Sequence, residues 1–165
     1  MLKRFYPKEC AHSTYGIDFR AYYEKGYRGI LFDIDNTLVP HDAPATPEAI
    51  AFFAGLRRIG FETCLISNND EARVKPFADA VGSFYIYKAG KPGKKGYQEA
   101  MRRMGVTTSE ALFVGDQIFT DVYGANRCGM HTILVEPIHP KEEIQIVFKR
   151  YLERIVLFFY RRSKK

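Results

Sequence analysis

The sequence predicts a single α/β domain built on a parallel sheet of five strands with helices on both faces. Five short apolar runs alternate with longer segments whose apolar residues recur at helical spacing, and turn residues separate them. The runs are almost continuously apolar, which is typical of parallel strands buried on both faces. A chain of 165 residues with 46% hydrophobic and 27% charged residues can bury one core. We therefore expect residues 1–165 to form one domain.

The predicted elements follow one another between residues 28 and 136. The strands are expected at 29–32, 62–66, 84–87, 111–114 and 132–135, and the helices at 46–60, 70–81, 94–104 and 120–128. Thr46 and Pro47 mark a helix start as cap and first-turn proline, while Gly105 and Gly129 follow two helix ends. Pro76 is expected to kink or shorten the second helix.

Charge and cysteine usage limit the classes of protein. The net charge of +6 is concentrated at the two ends, since residues 1–29 carry +3, residues 141–165 carry +5 and residues 30–140 carry −2. Three widely spaced cysteines favour a reducing, intracellular setting over a disulfide framework. We find no apolar stretch typical of a signal peptide or a spanning helix. A cytoplasmic protein is expected, with peripheral contact to the inner face of the membrane left open.

Polar side chains follow four of the predicted strands. Asp33 and Asp35 come after the first strand and Ser67 after the second. Lys91 follows the third strand, and Asp116 follows the fourth. In open parallel sheets, ligands bind beyond the carboxyl ends of the strands, so these side chains are expected to converge on one edge.

The acidic residues in this set predict a cation site. Asp33 and Asp35 are two residues apart, so an extended backbone would point both carboxylates the same way and set them against each other. A divalent cation would resolve that repulsion, with Asp116 as a third ligand, and oxygen ligands without histidine or cysteine favour Mg²⁺. Lysine and serine donors beside bound magnesium suit a phosphoryl group, which indicates phosphoryl transfer.

The same residues resemble the four motifs of the haloacid dehalogenase (HAD) superfamily. The matching stretches are Asp33-Ile34-Asp35-Asn36-Thr37-Leu38, Ser67-Asn68, Lys91-Pro92, and Gly115-Asp116-Gln117 with Asp121, in family order over about residues 28–136. The resemblance implies a Rossmann-like HAD fold and a hydrolase that uses Mg²⁺. Since a dehalogenase would not need the second aspartate, Asp35 favours a phosphatase or phosphotransferase.

The resemblance also implies a role for each motif residue. Asp33 would be the nucleophile that forms an aspartyl-phosphate, and Asp35 the general acid and then base. Ser67 would bind the phosphoryl oxygens, with Asn68 and Thr37 as further substrate contacts, and Lys91 would neutralise the nucleophile and the phosphate. The implied metal ligands are Asp33, Asp35, Asp116 and Asp121.

Two local alternatives stay open at this point. Ser67 and Asn68 could cap the next helix, with Asn69 as a competing cap. Lys88, Lys94 and Lys95 compete with Lys91 for the catalytic role.

The spacing between motifs leaves no room for a large cap domain. The 31 residues between Asp35 and Ser67, and the 23 between Ser67 and Lys91, are each used by one helix and one strand. An open site suits a large substrate, such as a phosphorylated protein, a nucleic-acid end or a lipid headgroup, unless a partner chain covers it.

Residues 141–162 predict a basic amphipathic helix. One row of residues is apolar, namely Phe148, Tyr151, Leu152, Ile155 and Phe159, and another carries Lys149, Arg150, Glu153 and Arg154. Such a helix can lie in an anionic membrane interface, or it can pack on the sheet and leave a basic tail in water. Both interpretations stay open.

Within the superfamily, the chain resembles the small capless subclass IIIA, which includes YqeG-type phosphatases and phosphatidylglycerophosphate phosphatases. The leading hypothesis is a Mg²⁺-dependent phosphomonoesterase that acts on phosphatidylglycerophosphate or a related membrane phosphate. One alternative is a soluble phosphatase for a phosphosugar, nucleotide or phosphoprotein. Another is a non-catalytic module that binds RNA or a protein partner, although the sequence contains no identifiable RNA-binding module. The sequence does not fix an oligomeric state.

Overall fold

A computed structural model describes residues 2–138 and 144–163 of the protein. The strands are β1 (Glu9–Ala11), β2 (Gly29–Phe32), β3 (Glu62–Ile66), β4 (Phe84–Ile86), β5 (Ala111–Gly115) and β6 (His131–Val135). The α-helices are α1 (Phe19–Glu24), α2 (Pro47–Ile59), α3 (Glu71–Val81), α4 (Lys94–Met104), α5 (Tyr123–Arg127) and α6 (Ile144–Ser163).

The strands form one sheet in the order β1-β6-β5-β2-β3-β4, and every pairing is parallel. The predicted α/β fold and all five predicted strands are confirmed. The sheet has six strands rather than five, because β1 adds itself to the edge beside β6. Strand β1 has only three residues and no fully buried side chain, so it lacks the apolar run that identifies the other strands.

The sheet separates two apolar layers, as expected for helices on both faces. Ile30 and Phe32 of β2 pack with residues of α2 and α3, while Leu31 between them faces residues of α4 and α5. This alternation is the period of two that a β-strand imposes on its side chains. Because helices cover both faces, the polar groups of the sheet are accessible only at its edge strands and at the strand ends.

Three helices differ from the prediction. Pro76 does not shorten α3, which continues to Val81, and the ring lies on the solvent side, where the carbonyl it leaves unpaired can meet water. The predicted helix 120–128 begins instead as a π-helical turn at Ile118–Val122, followed by α5. Helix α1 has six residues and was not predicted, since its apolar pattern covers less than two turns.

Helix α6 packs on the body through a side that includes Arg150 and Glu153 of its predicted charged row, while Lys149 and Arg154 of that row are exposed. Glu153, Val156 and Tyr160 are buried, whereas Phe148 and Tyr151 are 65% and 64% exposed. We use the name outer apolar face for the exposed row Phe148, Tyr151, Leu152, Ile155, Phe158 and Phe159. The predicted helix therefore exists over its described residues, and residues 141–143 of the prediction lie outside them. Packing on the sheet did not cover its apolar row.

The intervals between the motifs hold only core elements. Helix α2 and strand β3 occupy the first, and α3 and β4 occupy the second, so neither carries a large cap. Across residues 2–138 and 144–163, no helix has the length and apolar character needed to cross a bilayer.

Candidate active site

The site lies where the central strands β2 and β5 end. These strands are neighbours, and the backbone N–H of Asp33 donates to the carbonyl of Val114 at 3.0 Å, which continues the sheet register by one residue. Asp33 and Asp116 therefore leave the sheet side by side. The residue before Asp116 has to be a glycine, because a Cβ at Gly115 would lie 2.6 Å from Asp121 Oδ2.

Three carboxylates converge at this point. Asp33, Asp116 and Asp121 each place an oxygen within 4.8 Å of the others, and all three residues are buried. The Lys91 ammonium lies inside the group and donates to Asp33 Oδ1 at 2.7 Å and to Asp121 Oδ1 at 2.6 Å. We call these four residues the acidic cluster. The neighbouring lysines at positions 88, 94 and 95 are exposed, so Lys91 is the lysine that the structure places against Asp33.

Burial sets the electrostatics of the acidic cluster. It raises the pKa of Asp33 well above its usual range, while the Lys91 ammonium opposes that rise. Burial, reinforced by the charge of Asp121, raises the pKa of Asp116 to about 6. For Lys91, burial opposes the charged form, but the carboxylates of Asp121 and Asp33 outweigh it and raise the lysine pKa. The positive charge near the carboxylates therefore does not offset the cost of burying them, and Lys91 stays protonated.

Thr37 and Asn68 hold the acidic cluster in place. The Thr37 hydroxyl lies 3.3 Å from Asp33 Oδ2 and 3.2 Å from Asp116 Oδ1, so its one proton is shared between the two carboxylates. The Asn68 amide accepts from the Lys91 backbone N–H at 2.7 Å and donates to the Lys91 carbonyl at 3.1 Å. Both were predicted as substrate contacts. Their side-chain contacts hold Asp33, Asp116 and Lys91 in position, and contact with a substrate stays a prediction.

Asp35 lies in a different environment from Asp33. Its Oδ1 accepts from the Arg73 guanidinium and from the Asp42 backbone N–H, each at 2.8 Å, and its Oδ2 accepts from Asn69 at 2.8 Å. The chain turns directly after it, since Asn36 has a φ of 64° in the left-handed region.

The turn and these bonds hold the Asp35 carboxylate away from the acidic cluster. The structure groups Asp35 with His41 and Asp42 instead. The prediction that Asp33 and Asp35 set their carboxylates against each other is therefore wrong, while Asp35 as a metal ligand stays a prediction.

Ser67 follows β3 directly, and its backbone is fixed on both sides. Its N–H donates to Ile86 at 3.0 Å, and its carbonyl accepts from Ala89 at 2.9 Å. The Ser67 hydroxyl accepts from the Asn69 N–H at 3.1 Å, which leaves its own proton available to a ligand. Asp70 is the N-cap of α3, so the capping alternative for Ser67 and Asn68 is excluded.

Helix α6 contributes two site residues that the sequence did not indicate. Arg150 donates to the Asp116 carbonyl at 2.6 Å and also binds the Asp116 carboxylate. Glu153 accepts from the backbone N–H of Ile118 at 2.8 Å, at the start of the turn that carries Asp121. No motif spacing could reveal these contacts, because both residues belong to a charged helix face that normally faces water.

The donor set fits a divalent cation. Asp33, Asp116 and Asp121, together with Glu153 on the same arginine, carry four negative charges when ionised, whereas Lys91 and Arg150 supply two positive ones. The remaining negative charge is buried, and the available ligands are carboxylate oxygens, which magnesium and calcium prefer. A cation at this position would also oppose the rise in the pKa of Asp33 and Asp116.

The comparisons with known proteins agree with this geometry. A family model of haloacid dehalogenase-like hydrolases matches residues 39–129. The "Probable phosphatase YqeG" of Bacillus subtilis is 40% identical over 165 residues, which covers 99% of this chain and 96% of that protein.

A second relative is larger than this chain. The "Phosphatidylglycerophosphate phosphatase 1, chloroplastic/mitochondrial" of Arabidopsis thaliana is 30% identical over 162 residues. The match covers 88% of this chain but only 44% of the Arabidopsis protein.

A solved structure supports the fold. The HAD phosphatase from Thermococcus onnurineus superposes with a TM-score of 0.57 and 17% identity, covering 71% of this chain and 90% of that one. The family match and the near full-length relative show that the chain belongs to the haloacid dehalogenase-like hydrolase family, and the Thermococcus structure shows that it shares the fold.

Proposed function

We propose that the protein is a Mg²⁺-dependent phosphomonoesterase that works through an aspartyl-phosphate on Asp33. The observation that carries this proposal is that two nearby aspartates have different hydrogen-bond partners. Asp33 lies against Lys91 in the acidic cluster, while Asp35 is held outside it by Arg73 and Asn69. In this proposal the Asp33 carboxylate attacks phosphorus, and the separate Asp35 carboxylate transfers the proton.

The reaction proceeds in two displacements. A carboxylate oxygen of Asp33 attacks phosphorus as the bond to the ester oxygen breaks, and Asp35 in its protonated form gives its proton to the departing oxygen. Asp35, now ionised, takes a proton from a water molecule that attacks the phosphorus of the aspartyl-phosphate. Inorganic phosphate leaves, Asp33 is regenerated, and Asp35 again holds the proton.

Other residues bind charge during these steps. The Ser67 hydroxyl donates to a phosphoryl oxygen, and the Lys91 ammonium neutralises Asp33 and the incoming phosphate. Asp33, Asp116 and Asp121 would hold Mg²⁺, which would withdraw charge from the phosphoryl oxygens. Thr37 and Asn68 keep the carboxylates and Lys91 in position through the bonds described above.

We propose phosphatidylglycerophosphate, or a related membrane phosphate, as the substrate. The name of the Arabidopsis relative supports this choice, and so does a site without a cap. The outer apolar face of α6 adds a third reason, because exposed aromatic side chains beside Lys149, Arg154, Arg161 and Arg162 suit an anionic membrane interface. The enzyme would then act as a cytoplasmic protein bound peripherally to the membrane.

Phosphate release from phosphatidylglycerophosphate in mixed micelles tests the reaction and the substrate together. Glycerol 3-phosphate and p-nitrophenyl phosphate serve as soluble comparisons, each with Mg²⁺ or with EDTA. We expect Mg²⁺-dependent release that prefers the lipid and disappears in Asp33→Asn. Release from the soluble esters alone would retain the mechanism and reject the lipid substrate. No release from any ester would favour the binding-module alternative.

Sedimentation with anionic vesicles tests the membrane contact separately. Phe148→Asp adds a negative charge to the outer apolar face and should reduce the bound fraction. Phe84→Asp is the matched control, because Phe84 is also exposed but lies on β4 at the opposite edge of the sheet. Equal loss of binding in both variants, or loss in neither, would contradict a specific role for α6.

A further inference from the structure

A cavity of about 810 Å³ lies between helix α6 and the β1–β6 edge of the sheet. Its wall is formed by apolar side chains from both sides, including Ile118, Leu134, Val135, Leu157 and Tyr160. A volume of this size is within the range of small-molecule sites, roughly 300–1,000 Å³. Tyr151 of the outer apolar face also lines the cavity, so the cavity and that face share a margin on helix α6.

The cavity adjoins the acidic cluster. Asp116 and Arg150 line it, and these two residues are bonded to each other. At the same end, Pro137 lines the cavity, and the next residue, Ile138, donates its N–H to the Asn36 carbonyl at 3.1 Å. One end of a ligand in the cavity would thus lie beside the carboxylates of the acidic cluster and beside the loop that carries Asp35.

Positive charge is present along the α6 wall. Arg154 and Arg161 line the cavity with Arg150, and the spacing of four and seven residues puts all three on one side of the helix. Guanidinium groups bind phosphate oxygens strongly and in fixed geometry. The lining also contains the carboxylates of Asp116 and Glu153, which bind Arg150, and of Glu136, which lies beside His12. Arg154 and Arg161 are therefore the cations left for an anionic group, beside an apolar wall for a hydrocarbon chain on the same molecule.

We infer that this cavity binds the lipid portion of the substrate, with an acyl chain against Leu134, Val135 and Leu157 and the phosphodiester near Arg154 and Arg161. This inference rests on the proposed function and extends it, since it assigns lipid selectivity to residues outside the acidic cluster. In this arrangement the catalytic residues bind only the terminal phosphate. The cavity between α6 and the sheet binds the remainder of the lipid.

A cavity-filling variant tests this assignment by kinetics. Leu157→Trp puts a larger side chain into the cavity, and Phe84→Trp is the matched control on the opposite edge of the sheet. The quantity measured is the ratio of kcat/KM for phosphatidylglycerophosphate to kcat/KM for glycerol 3-phosphate. We expect Leu157→Trp to lower this ratio at least tenfold and Phe84→Trp to leave it unchanged. A folded Leu157→Trp with the wild-type ratio would overturn the assignment.

A binding measurement on the wild-type protein requires neither catalysis nor a variant. Cys10 is exposed and lines the cavity, whereas Cys128 is partly buried and lies outside its lining. Alkylation by N-ethylmaleimide is followed at both cysteines by peptide mass spectrometry, in micelles of a sterol-based detergent with or without dioleoyl phosphatidylglycerol.

Lipid in the cavity should slow alkylation of Cys10 at least fivefold without changing the rate at Cys128. Equal rates at Cys10 with and without the lipid would overturn the inference, even if Leu157→Trp fails to fold. Protection of Cys10 in a protein that releases no phosphate from the lipid would support the cavity and reject only the proposed substrate.

Discussion

The carboxylates of Asp33 and Asp35 lie two residues apart in the chain and in contrasting surroundings. Asp33 is buried with Asp116 and Asp121 around a single ammonium, and burial raises its pKa. Asp35 is bonded by a guanidinium, an amide and a backbone N–H, and its neighbours His41 and Asp42 are exposed. One strand end can therefore present two carboxylates in different surroundings, provided that the chain turns between them.

Substitution of Asp33 in the acidic cluster should reduce phosphate release more than any other change considered. Asp33→Asn keeps the size of the side chain but replaces the carboxylate that we propose as nucleophile with a weakly nucleophilic amide, so phosphate release should fall by about 10³-fold or more. The loss should be similar for lipid and soluble esters, because the nucleophile is common to all of them. Initial-rate assays in Mg²⁺ measure it. A residual rate that differs widely between esters would contradict a common nucleophile.

Asp35→Asn should act more selectively. Without a proton donor, release from an alkyl phosphate should fall by about 10²–10⁴-fold. The first step of p-nitrophenyl phosphate cleavage should suffer far less, since its leaving group departs without a proton. Pre-steady-state measurement of p-nitrophenolate isolates that step. Equal losses for both leaving groups would show that Asp35 is not the acid.

Removal of the ammonium tests the electrostatics of the acidic cluster. Lys91→Met leaves Asp33 and Asp121 buried without their cation, and the free energy of unfolding in EDTA should fall by about 3–5 kcal/mol. Lys75→Met is the control, because Lys75 pairs with Asp79 on the surface and should give no measurable change. Urea unfolding of both variants provides the comparison. Similar stability of the two would contradict a buried charge network.

The smallest expected effect is the dependence of stability on pH in the metal-free protein. The pKa of Asp116 rises from 3.8 to about 6 on folding, so the folded state binds this proton more tightly than the unfolded chain does. The free energy of unfolding should therefore fall as the pH rises from about 4 to about 6. Urea unfolding in EDTA should show a shallower fall in Asp116→Asn. An unchanged slope in that variant would assign the effect to other groups.

Much of the site was predictable because its residues sit at strand ends. Asp33, Ser67 and Asp116 follow apolar runs, and a parallel sheet brings such positions to one edge whatever the rest of the chain does. The direction of Asp35 was not predictable, since it depends on the left-handed turn at Asn36 and on Arg73 from another helix.

The orientation of α6 was not predictable for a related reason. Periodicity shows that a helix has two faces, but it does not show what each face meets. Here Arg150 and Glu153 of the charged row face the body because they bind Asp116 and the Ile118 N–H, while Lys149 and Arg154 of the same row are exposed. Those partners belong to a buried site 34 and 35 residues away in sequence, so local patterns contain no sign of them.

Trapping the phosphorylated enzyme tests the division between the two aspartates most directly. Asp35→Asn is mixed with p-nitrophenyl phosphate labelled with ³²P, quenched in acid and digested for peptide mapping. We predict that label accumulates on Asp33 to about one phosphoryl group per chain, because the second step lacks its base. Label on another residue, or no label while p-nitrophenolate is released at the wild-type rate, would contradict the roles proposed for Asp33 and Asp35.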